Sequence, residues 1–352
     1  MPPAPAIPVD VADVTPEWIS AVTQFDVVAV DVLDAHSGTT GRARLALTYG
    51  GGEDEFLPAS VFVKLPPFDE RQREFVARTG LGTAEARFYR DLAESVPVRI
   101  PGVLHADVDD DGRYVMLLED LEASGCRFPR PTDDDVVSVV DSIVCELAHL
   151  HACFWEHADL TARHDWVSQG MRIAFGSGGR FMKMALDQFA ADMPPAYRAL
   201  GELYIDRARD IAELWAAPPH TLAHGDPHMG NLFVDDGRAG FFDWGMLMAK
   251  NGMWDVAYVI CNSVPTDVRR AHERGWLDLY RAELATAGIA LDGDRVWAQY
   301  RLYAVYSWNS AVSTAAMGGR WQPEARAHGA MLRTTTAIED LDSVGLLEEL
   351  LA

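Results

Sequence analysis

Cysteine is scarce in this sequence, and its spacing argues against a metal-based or disulfide-based framework. Only four cysteines occur in 352 residues, and no two of them form a Cys-x-x-Cys pair. No set of His and Cys residues has the spacing of a zinc site. The thiols are therefore expected to be reduced. Since no basic start followed by an apolar stretch opens the sequence, we predict a cytoplasmic protein.

Positive charge is also scarce, with 30 Lys and Arg against 53 Asp and Glu and a net charge of −23. Such a surface repels phosphate backbones, so a nucleic-acid partner is not expected. Two interpretations of the acidic excess remain open, a solvated surface that aids solubility or attraction of a cationic ligand. No uncharged apolar run approaches the roughly 18 residues of a membrane span, so no membrane partner is expected.

The chain changes character near residue 121. The first third reads as short β-branched or apolar strands at 27–33, 45–49, 61–65, 105–107 and 114–118, with a helix at 83–93. Beyond it, apolar residues recur at steps of three and four from Val136 to Phe154, which predicts a long buried helix with Thr132 as its N-cap. These patterns predict a small β-rich N-terminal lobe, residues 1–121, and a large helical C-terminal lobe, residues 122–352.

The strongest chemical signal is the segment 224–232, which reads His-Gly-Asp-Pro-His-Met-Gly-Asn-Leu. Asp226 precedes Asn231 by five residues, and Asp243 follows a predicted β-hairpin whose turn contains Asp236 and Gly237. Phosphoryl transfer needs a carboxylate that orients a hydroxyl and oxygen ligands that hold magnesium on the phosphates. This set of residues would supply both. The alternative is an acidic loop with a capping Asn and a turn Asp.

This segment resembles the catalytic and metal-binding loops of the aminoglycoside phosphotransferase and choline kinase superfamily. The usual forms there are His-Gly-Asp-x-x-x-x-Asn and a later Ile-Asp-Trp or Ile-Asp-Phe. The resemblance, which runs from about residue 35 to about residue 310, implies an α+β fold with the two lobes of a protein kinase, and ATP and Mg²⁺ as cofactors. By position, Asp226 would be the catalytic base, and Asn231 and Asp243 would be the magnesium ligands.

Two upstream residues fit the same family. Lys64 ends an apolar strand and resembles the kinase lysine that pairs with the α- and β-phosphates, although a lone strand lysine is usually only an edge charge. Glu85 lies in Thr-Ala-Glu-Ala-Arg-Phe-Tyr, which resembles the family's Glu-x-x-Phe-Tyr helix. The resemblance implies that the Glu85 carboxylate pairs with Lys64 and fixes its direction.

Two backbone segments are candidates for nucleotide contacts. Ser37, Gly38 and Thr39 lie in a small polar turn that could cover the phosphates, although an ordinary hairpin turn would read the same. The segment from Glu119 to Leu121 resembles the connection between the lobes of these kinases. There, backbone groups would meet the adenine, and a plain strand end is the alternative.

Other residues that resemble the family would hold the site in place rather than take part in the reaction. His151, in Leu-Ala-His-Leu-His-Ala, matches a long helix of these kinases and is expected to be buried and structural. Asp255 could hold the catalytic loop through hydrogen bonds, or it could cap a helix. Tyr280, Leu284 and Gly288 resemble a stretch typical of the ecdysteroid-kinase-like branch. Two residues next to the predicted site depart from the family pattern. Gly245 stands where the family often has Glu or Gln, and Pro227 stands where a bulky residue commonly follows the catalytic Asp.

The implied function is transfer of the γ-phosphate of ATP to a hydroxyl group of a small-molecule acceptor. The aromatic residues Trp254, Tyr258, Trp308 and Trp321 could wall the acceptor, but each is better explained individually as helix core. One alternative is an aminoglycoside kinase, which the net charge of −23 would suit. Another is a nucleotide-binding pseudokinase that acts as a regulator. No Ala-Pro-Glu follows Asp243, which argues against a protein kinase.

Overall fold

The computed structural model describes residues 5–51, 56–169, 174–318 and 323–352. The chain forms two compact units. The first contains Met1–Arg127 and a later segment, Phe241–Met246; the second contains Phe128–Gly240 and Leu247–Ala352. Trp321, one of the aromatic residues considered for an acceptor wall, lies outside the described residues.

A five-stranded antiparallel sheet organises the first unit, in the order β1-β2-β3-β5-β4. Its strands are β1 (Val27–Ser37), β2 (Gly41–Tyr49), β3 (Ser60–Leu65), β4 (Val103–Val108) and β5 (Tyr114–Glu119). Its α-helices are α1 (Pro16–Thr23), α2 (Glu70–Ala77) and α3 (Leu81–Asp91), with 3₁₀ turns at Val11–Asp13, Ala93–Ser95 and Trp244–Met246.

One face of this sheet packs on α1. Ala43, Leu45 and Leu47 alternate along β2 and are buried together with Trp18 and Ile19 of α1. Removal of this apolar surface from water is the main force that holds the helix on the sheet. The residues between them on β2 point to the opposite face, because side chains alternate along a strand. That opposite face carries Lys64, which alternates with the buried Val63 and Leu65 along β3.

Helix α3 approaches β5 very closely. A Cβ atom on Gly82 would lie 2.1 Å from the ring of Tyr114, a distance that no side chain tolerates. Glycine at this position therefore allows the first turn of α3 to sit against the sheet. The same helix carries Glu85 one turn later, so this contact sets the depth of that carboxylate.

The second unit is mostly helical. Its helices are α4 (Val136–Cys153), α5 (Ala158–Arg163), α6 (Asp165–Gln169), α7 (Ala174–Phe189), α8 (Pro195–Trp215), α9 (Met253–Tyr258), α10 (Thr266–Thr286), α11 (Gly293–Ala316), α12 (Glu324–Asp340) and α13 (Ser343–Leu350). Short strands β6 (Thr221–Ala223) and β9 (Met248–Lys250) pair antiparallel, β7 (Leu232–Asp235) pairs with β8 (Arg238–Phe241), and Met229–Asn231 is a 3₁₀ turn. The segment Val259–Ser263 continues α9 as a π-helix.

The predicted long buried helix is α4, but it begins at Val136 rather than just after Thr132. The reason is local, because the carboxylate of Asp133 accepts a hydrogen bond from the backbone N–H of Arg130 and stabilises a turn before the helix. Helix α4 is long and apolar enough to cross a membrane, with a mean hydropathy of 1.5. However, 56% of this helix is buried inside the protein, and the core helix of a globular protein can be equally long and apolar. Length and hydropathy are therefore weak evidence that α4 spans a membrane.

Candidate active site

Lys64 forms a buried ion pair with Glu85, as predicted. Lys64 lies on β3 and Glu85 on α3, and the Lys64 Nζ atom is 2.6 and 2.5 Å from the two Glu85 carboxylate oxygens. Both side chains are almost fully buried, at 5% and 1% exposed. Burial raises the pKa of the Glu85 carboxyl above its ordinary value, and the Lys64 cation opposes that shift. The ion pair fixes the direction of the Lys64 side chain, because the Glu85 carboxylate contacts the Nζ group from one side.

Asp243 joins this pair from a much later segment of the chain. It follows β8, and its carboxylate Oδ1 lies 3.3 Å from Lys64 Nζ. Its φ angle of 64° is in the left-handed region, which few residues other than glycine adopt. Such conformations persist only where the surrounding structure holds them. The first unit therefore brings together three predicted site residues, Lys64, Glu85 and Asp243, from three separate segments.

Arg42 is a member of this cluster that sequence reasoning missed. It is paired with Lys64 across β2 and β3. Its guanidinium Nη2 lies 3.4 Å from Asp243 Oδ2, and its Nε donates to the Thr40 hydroxyl at 3.0 Å. Only the strand register places Arg42 beside Lys64, and single-sequence patterns do not fix register. Two cations therefore approach one carboxylate.

The residues after Asp243 pack tightly against α3. The Trp244 ring stacks on Phe88 of that helix, and a Cβ on Gly245 would lie 3.1 Å from the backbone oxygen of Leu81. A larger side chain at 245 would thus press on the first turn of α3. Glycine at 245, where the family often has Glu or Gln, avoids this contact.

The small polar turn between β1 and β2 is held by its neighbours. The Ser37 hydroxyl accepts a hydrogen bond from the N–H of Phe68 at 3.0 Å. The Gly38 N–H donates to the Thr40 carbonyl at 2.9 Å, and the Gly38 carbonyl accepts from the side chain of Gln72 at 2.7 Å. Thr39 lies half-buried in the same turn. Phosphate contacts by Ser37, Gly38 and Thr39 stay a prediction. The Ser37 hydroxyl can still donate its own hydrogen, whereas the Gly38 N–H would have to exchange its bond to Thr40.

The side chain of Glu119 has an internal role. Its carboxylate accepts from both terminal nitrogens of Arg99, at 2.9 and 2.8 Å, and from the N–H of Gly102 at 2.8 Å. The Leu121 carbonyl accepts from the Cys126 N–H at 2.9 Å. A nucleotide contact in this segment would therefore be made by the backbone, as the resemblance implies, and it stays a prediction.

In the second unit, Asp255 anchors the start of the segment 224–232, the predicted catalytic loop. Its carboxylate accepts from the backbone N–H of His224 at 2.7 Å and of Gly225 at 2.9 Å. His151, fully buried, lies 3.2 Å from the same carboxylate and 2.8 Å from the hydroxyl of Tyr280. The expectation of a structural His151 is confirmed. The helix-cap alternative for Asp255 is wrong, because the N-cap of α9 is Gly252.

Asp226 and Asn231 are held together at the two ends of the catalytic loop. The Asn231 Nδ2 group donates to the Asp226 carbonyl at 2.9 Å and to the Asp226 carboxylate at 3.1 Å. The remaining polar atom of the Asn231 amide is its oxygen, the atom type that magnesium prefers. His228 Nε2 lies 3.7 Å from the Asp226 carboxylate. The loop therefore presents a carboxylate and an amide oxygen of defined orientation.

Two tyrosines, Tyr258 and Tyr306, lie near Asp226. The Tyr306 hydroxyl donates to the Gly225 carbonyl at 3.3 Å. Burial raises the pKa of the Tyr258 and Tyr306 hydroxyls, and the nearby Asp226 carboxylate raises both further. Trp254 packs on Tyr306 with ring centroids 3.7 Å apart, and Trp254 and Trp308 are buried in the core. The core interpretation is therefore confirmed for these two tryptophans.

The donor set suits a magnesium ion that is completed by phosphate and water. Within the residues that the structure describes, no group of three or more His, Cys, Asp and Glu forms a cage by itself. Magnesium usually takes one or two protein carboxylates and fills the other positions with substrate phosphates and water. In the first unit, Asp243, at 27% exposed, offers a carboxylate of this kind. In the second unit, Asn231 offers an amide oxygen.

Comparison with known proteins identifies the class. Residues 35–303 match the sequence model of the phosphotransferase enzyme family known as APH, which is well over half of the chain. The chain therefore belongs to this family. The finer resemblance to the ecdysteroid-kinase-like branch is not confirmed. No protein of curated function matches the sequence significantly.

Solved structures show the fold. An aminoglycoside phosphotransferase candidate from Ralstonia eutropha JMP134 superimposes with a TM-score of 0.56 at 14% identity, over 93% of this chain and 97% of its own. Choline kinase from Cryptosporidium parvum Iowa II superimposes with a TM-score of 0.55 at 11% identity, over 95% of this chain and 94% of its own. The GDP and kanamycin complex of APH(2″)-IIIa superimposes with a TM-score of 0.52 at 14% identity, over 92% of this chain and 97% of its own. The α+β, two-lobed kinase-like fold is confirmed.

Proposed function

We propose that this protein is a magnesium-dependent small-molecule kinase that transfers the γ-phosphate of ATP to a hydroxyl group. The observation that carries the proposal is the convergence of Lys64, Glu85 and Asp243 in a member of a phosphotransferase family. A bound magnesium ion would neutralise charge on the phosphates during transfer.

The first unit would hold the nucleotide phosphates. Lys64 donates hydrogen bonds from a compact ammonium group, which in this fold serves the α- and β-phosphates. Glu85 keeps that group directed, because its carboxylate lies within 2.6 Å of it on the helix side. Asp243 supplies the formal negative charge of the metal site.

The second unit would orient the acceptor. The Asp226 carboxylate is the group that positions the acceptor hydroxyl and accepts its proton, a role that the loop Asp plays in this reaction class. Asn231 holds that carboxylate through a 3.1 Å hydrogen bond and would contribute its amide oxygen to magnesium. Asp255 fixes the backbone from which Asp226 projects.

The direct test is a screen for ADP release from Mg-ATP in the presence of hydroxylated metabolites, sterols, acyl-CoAs, choline and aminoglycosides. We expect at least one acceptor to raise turnover well above the rate with water. Asp226→Asn serves as the matched control, and it should abolish the acceptor-dependent part. If no acceptor stimulates the wild type while ATP still binds, the pseudokinase alternative is supported and the kinase proposal is wrong.

A second candidate is an aminoglycoside acceptor, which the net charge of −23 favours because it attracts cations. Salt separates the two possibilities. For a cationic acceptor, kcat/KM should fall as ionic strength rises, because screening reduces the electrostatic reach to about 8–10 Å. A value independent of salt would indicate a neutral acceptor, which we favour.

A further inference from the structure

The sheet face that carries Lys64 has a second cation in register with it. Arg42 is the partner of Lys64 across β2 and β3, and directly paired residues project to the same face of a sheet. The core residues Ala43 and Leu45 occupy the other face of β2. Arg42 therefore projects on the same side as Lys64, where the phosphates would be bound.

The ion pair of Arg42 is a loose one, although its Nε also donates to the Thr40 hydroxyl at 3.0 Å. Its Nη2 lies 3.4 Å from Asp243 Oδ2, and Lys64 lies 3.3 Å from the other oxygen of that carboxylate. Charge-assisted hydrogen bonds of full strength are about 2.7–2.9 Å long. The Lys64–Glu85 pair, at 2.5 Å, is of that kind, and the Arg42 contact is not.

A neighbour on the same strand shows the difference. Arg44 also lies on this face, two residues along, and it is neutralised by its own carboxylates, Asp120 at 3.0 Å and Glu122 at 2.6 Å. Among the ion pairs of the described residues, Arg42 has one carboxylate partner, Asp243, and shares it with Lys64. The Arg42 side chain is 34% exposed, so a ligand can reach it.

Charge balance indicates what Arg42 would bind. Arg42 and Lys64 carry two positive charges, which Glu85 and Asp243 balance. Once Asp243 serves magnesium, the Arg42 guanidinium needs another anion. Its planar fork of donors matches phosphate oxygens well.

We propose that Arg42 is a second phosphate-binding cation, which exchanges the Asp243 carboxylate for phosphate oxygens of the bound nucleotide. This inference rests on the proposed kinase function. It adds to the nucleotide site a residue that lies outside the motifs, and it gives the Arg42–Asp243 contact a role in the free protein. There, the two cations hold the carboxylate in place until magnesium and nucleotide arrive.

The test is calorimetric titration of ATP, ADP and adenosine with saturating Mg²⁺. Arg42→Ala should weaken ATP binding about 10- to 100-fold, the effect of losing one or two hydrogen bonds between charged groups, and should leave adenosine binding unchanged. Arg42→Gln should behave like Arg42→Ala, and Arg42→Lys should recover part of the loss, because a point charge replaces the fork. Arg113→Ala, which removes an exposed ion pair with Asp109 in the same unit, is the matched control and should bind as the wild type does.

The outcomes separate this inference from the kinase proposal. If Arg42→Ala and Arg42→Gln both fold and bind ATP within about twofold of the wild type, while Lys64→Ala loses affinity, the role of Arg42 is wrong and the kinase proposal stands. If the wild type binds neither ATP nor ADP, the kinase proposal itself fails. An equal loss of ATP and adenosine affinity in Arg42→Gln would indicate a structural role for Arg42 and would overturn the inference.

Discussion

The ring of Trp244 stacks on the ring of Phe88, with centroids 4.1 Å apart and ring planes 11° apart. Trp244 directly follows Asp243, and Phe88 lies three residues after Glu85 on α3. The stack therefore joins the segment that carries Asp243 to the helix that carries Glu85. Trp244→Ala should lower the free energy of unfolding by about 3–5 kcal/mol, as for other buried aromatic truncations. Urea denaturation measures this loss.

The Trp244 variant should also lose ATP affinity, because Asp243 and Glu85 would no longer be held at fixed positions. Trp244→Phe is the control, since it keeps an aromatic face against Phe88 and should retain most of both properties. Wild-type ATP affinity in a folded Trp244→Ala protein would show that the stack has no part in positioning the site.

Lys64→Met should destabilise the protein as well as weaken ATP binding. It leaves the Glu85 carboxylate buried without its cation, and removing one partner of a buried ion pair costs about 3–5 kcal/mol. The double variant Lys64→Met with Glu85→Leu should recover much of that stability but none of the ATP binding. Thermal unfolding of the single and double variants tests this. A double variant less stable than Lys64→Met would contradict it.

The Lys64→Met penalty should depend on pH in a defined direction. The pKa of Glu85 is raised in the folded state, chiefly by burial, so the folded protein binds this proton more tightly than the unfolded chain. A raised carboxyl pKa favours folding at low pH, and that advantage is lost as pH rises through the folded pKa. The Lys64 cation lowers this pKa, so its loss should raise the pKa of Glu85 further in the variant, and protonation should stabilise the variant more than the wild type. The stability difference between the two should therefore shrink as pH falls from 7 towards the ordinary value of 4.5. A difference that grows on acidification would refute the prediction.

Replacing Asp226 by Asn and replacing Asp243 by Asn should impair the activity in different ways. Asp226→Asn should leave Mg-ATP binding nearly intact and lower kcat by roughly 10²–10⁴-fold, the span for losing a general base. Asp243→Asn should weaken magnesium binding, and higher magnesium should restore part of the activity. Magnesium titrations of ATP binding and turnover distinguish the two. The same change in magnesium dependence for both variants would mean that the roles are misassigned.

Asp255→Asn should disturb the catalytic loop without touching the nucleotide. Asn offers one acceptor oxygen where the carboxylate offers two, so one backbone N–H of His224 or Gly225 would be left without its bond, at a cost of about 1–3 kcal/mol. We expect a lower kcat at nearly constant ATP affinity. Asp141→Asn on α4 is the control, because its single bond to the Trp276 indole needs only one oxygen. A wild-type kcat in Asp255→Asn would exclude the anchoring role.

The sequence predicted what depends on local chemistry. The hairpin before Asp243 was predicted from Asp236 and Gly237, and both adopt the positive φ angles, 47° and 80°, that such a turn requires. The Lys64–Glu85 pair does not follow from local chemistry and was implied only by the resemblance of both segments to the family's motifs. Arg42 could not be found, since its place beside Lys64 depends on strand register. The role of Asp255 stayed ambiguous because only the tertiary structure decides which backbone groups its carboxylate meets.

The chain passes between its compact units three times, after Arg127, after Gly240 and after Met246. A gene fragment that stops at Arg127 would therefore lack the six-residue segment Phe241–Met246, and with it the 2.9 Å bond from the Phe241 N–H to the Arg99 carbonyl. Phe88 would also lose the aromatic ring that covers it. Chimeras that transplant a nucleotide-binding unit from a relative must therefore exchange two separate stretches of coding sequence, because a single crossover would combine a sheet from one parent with an Asp-Trp-Gly segment from the other.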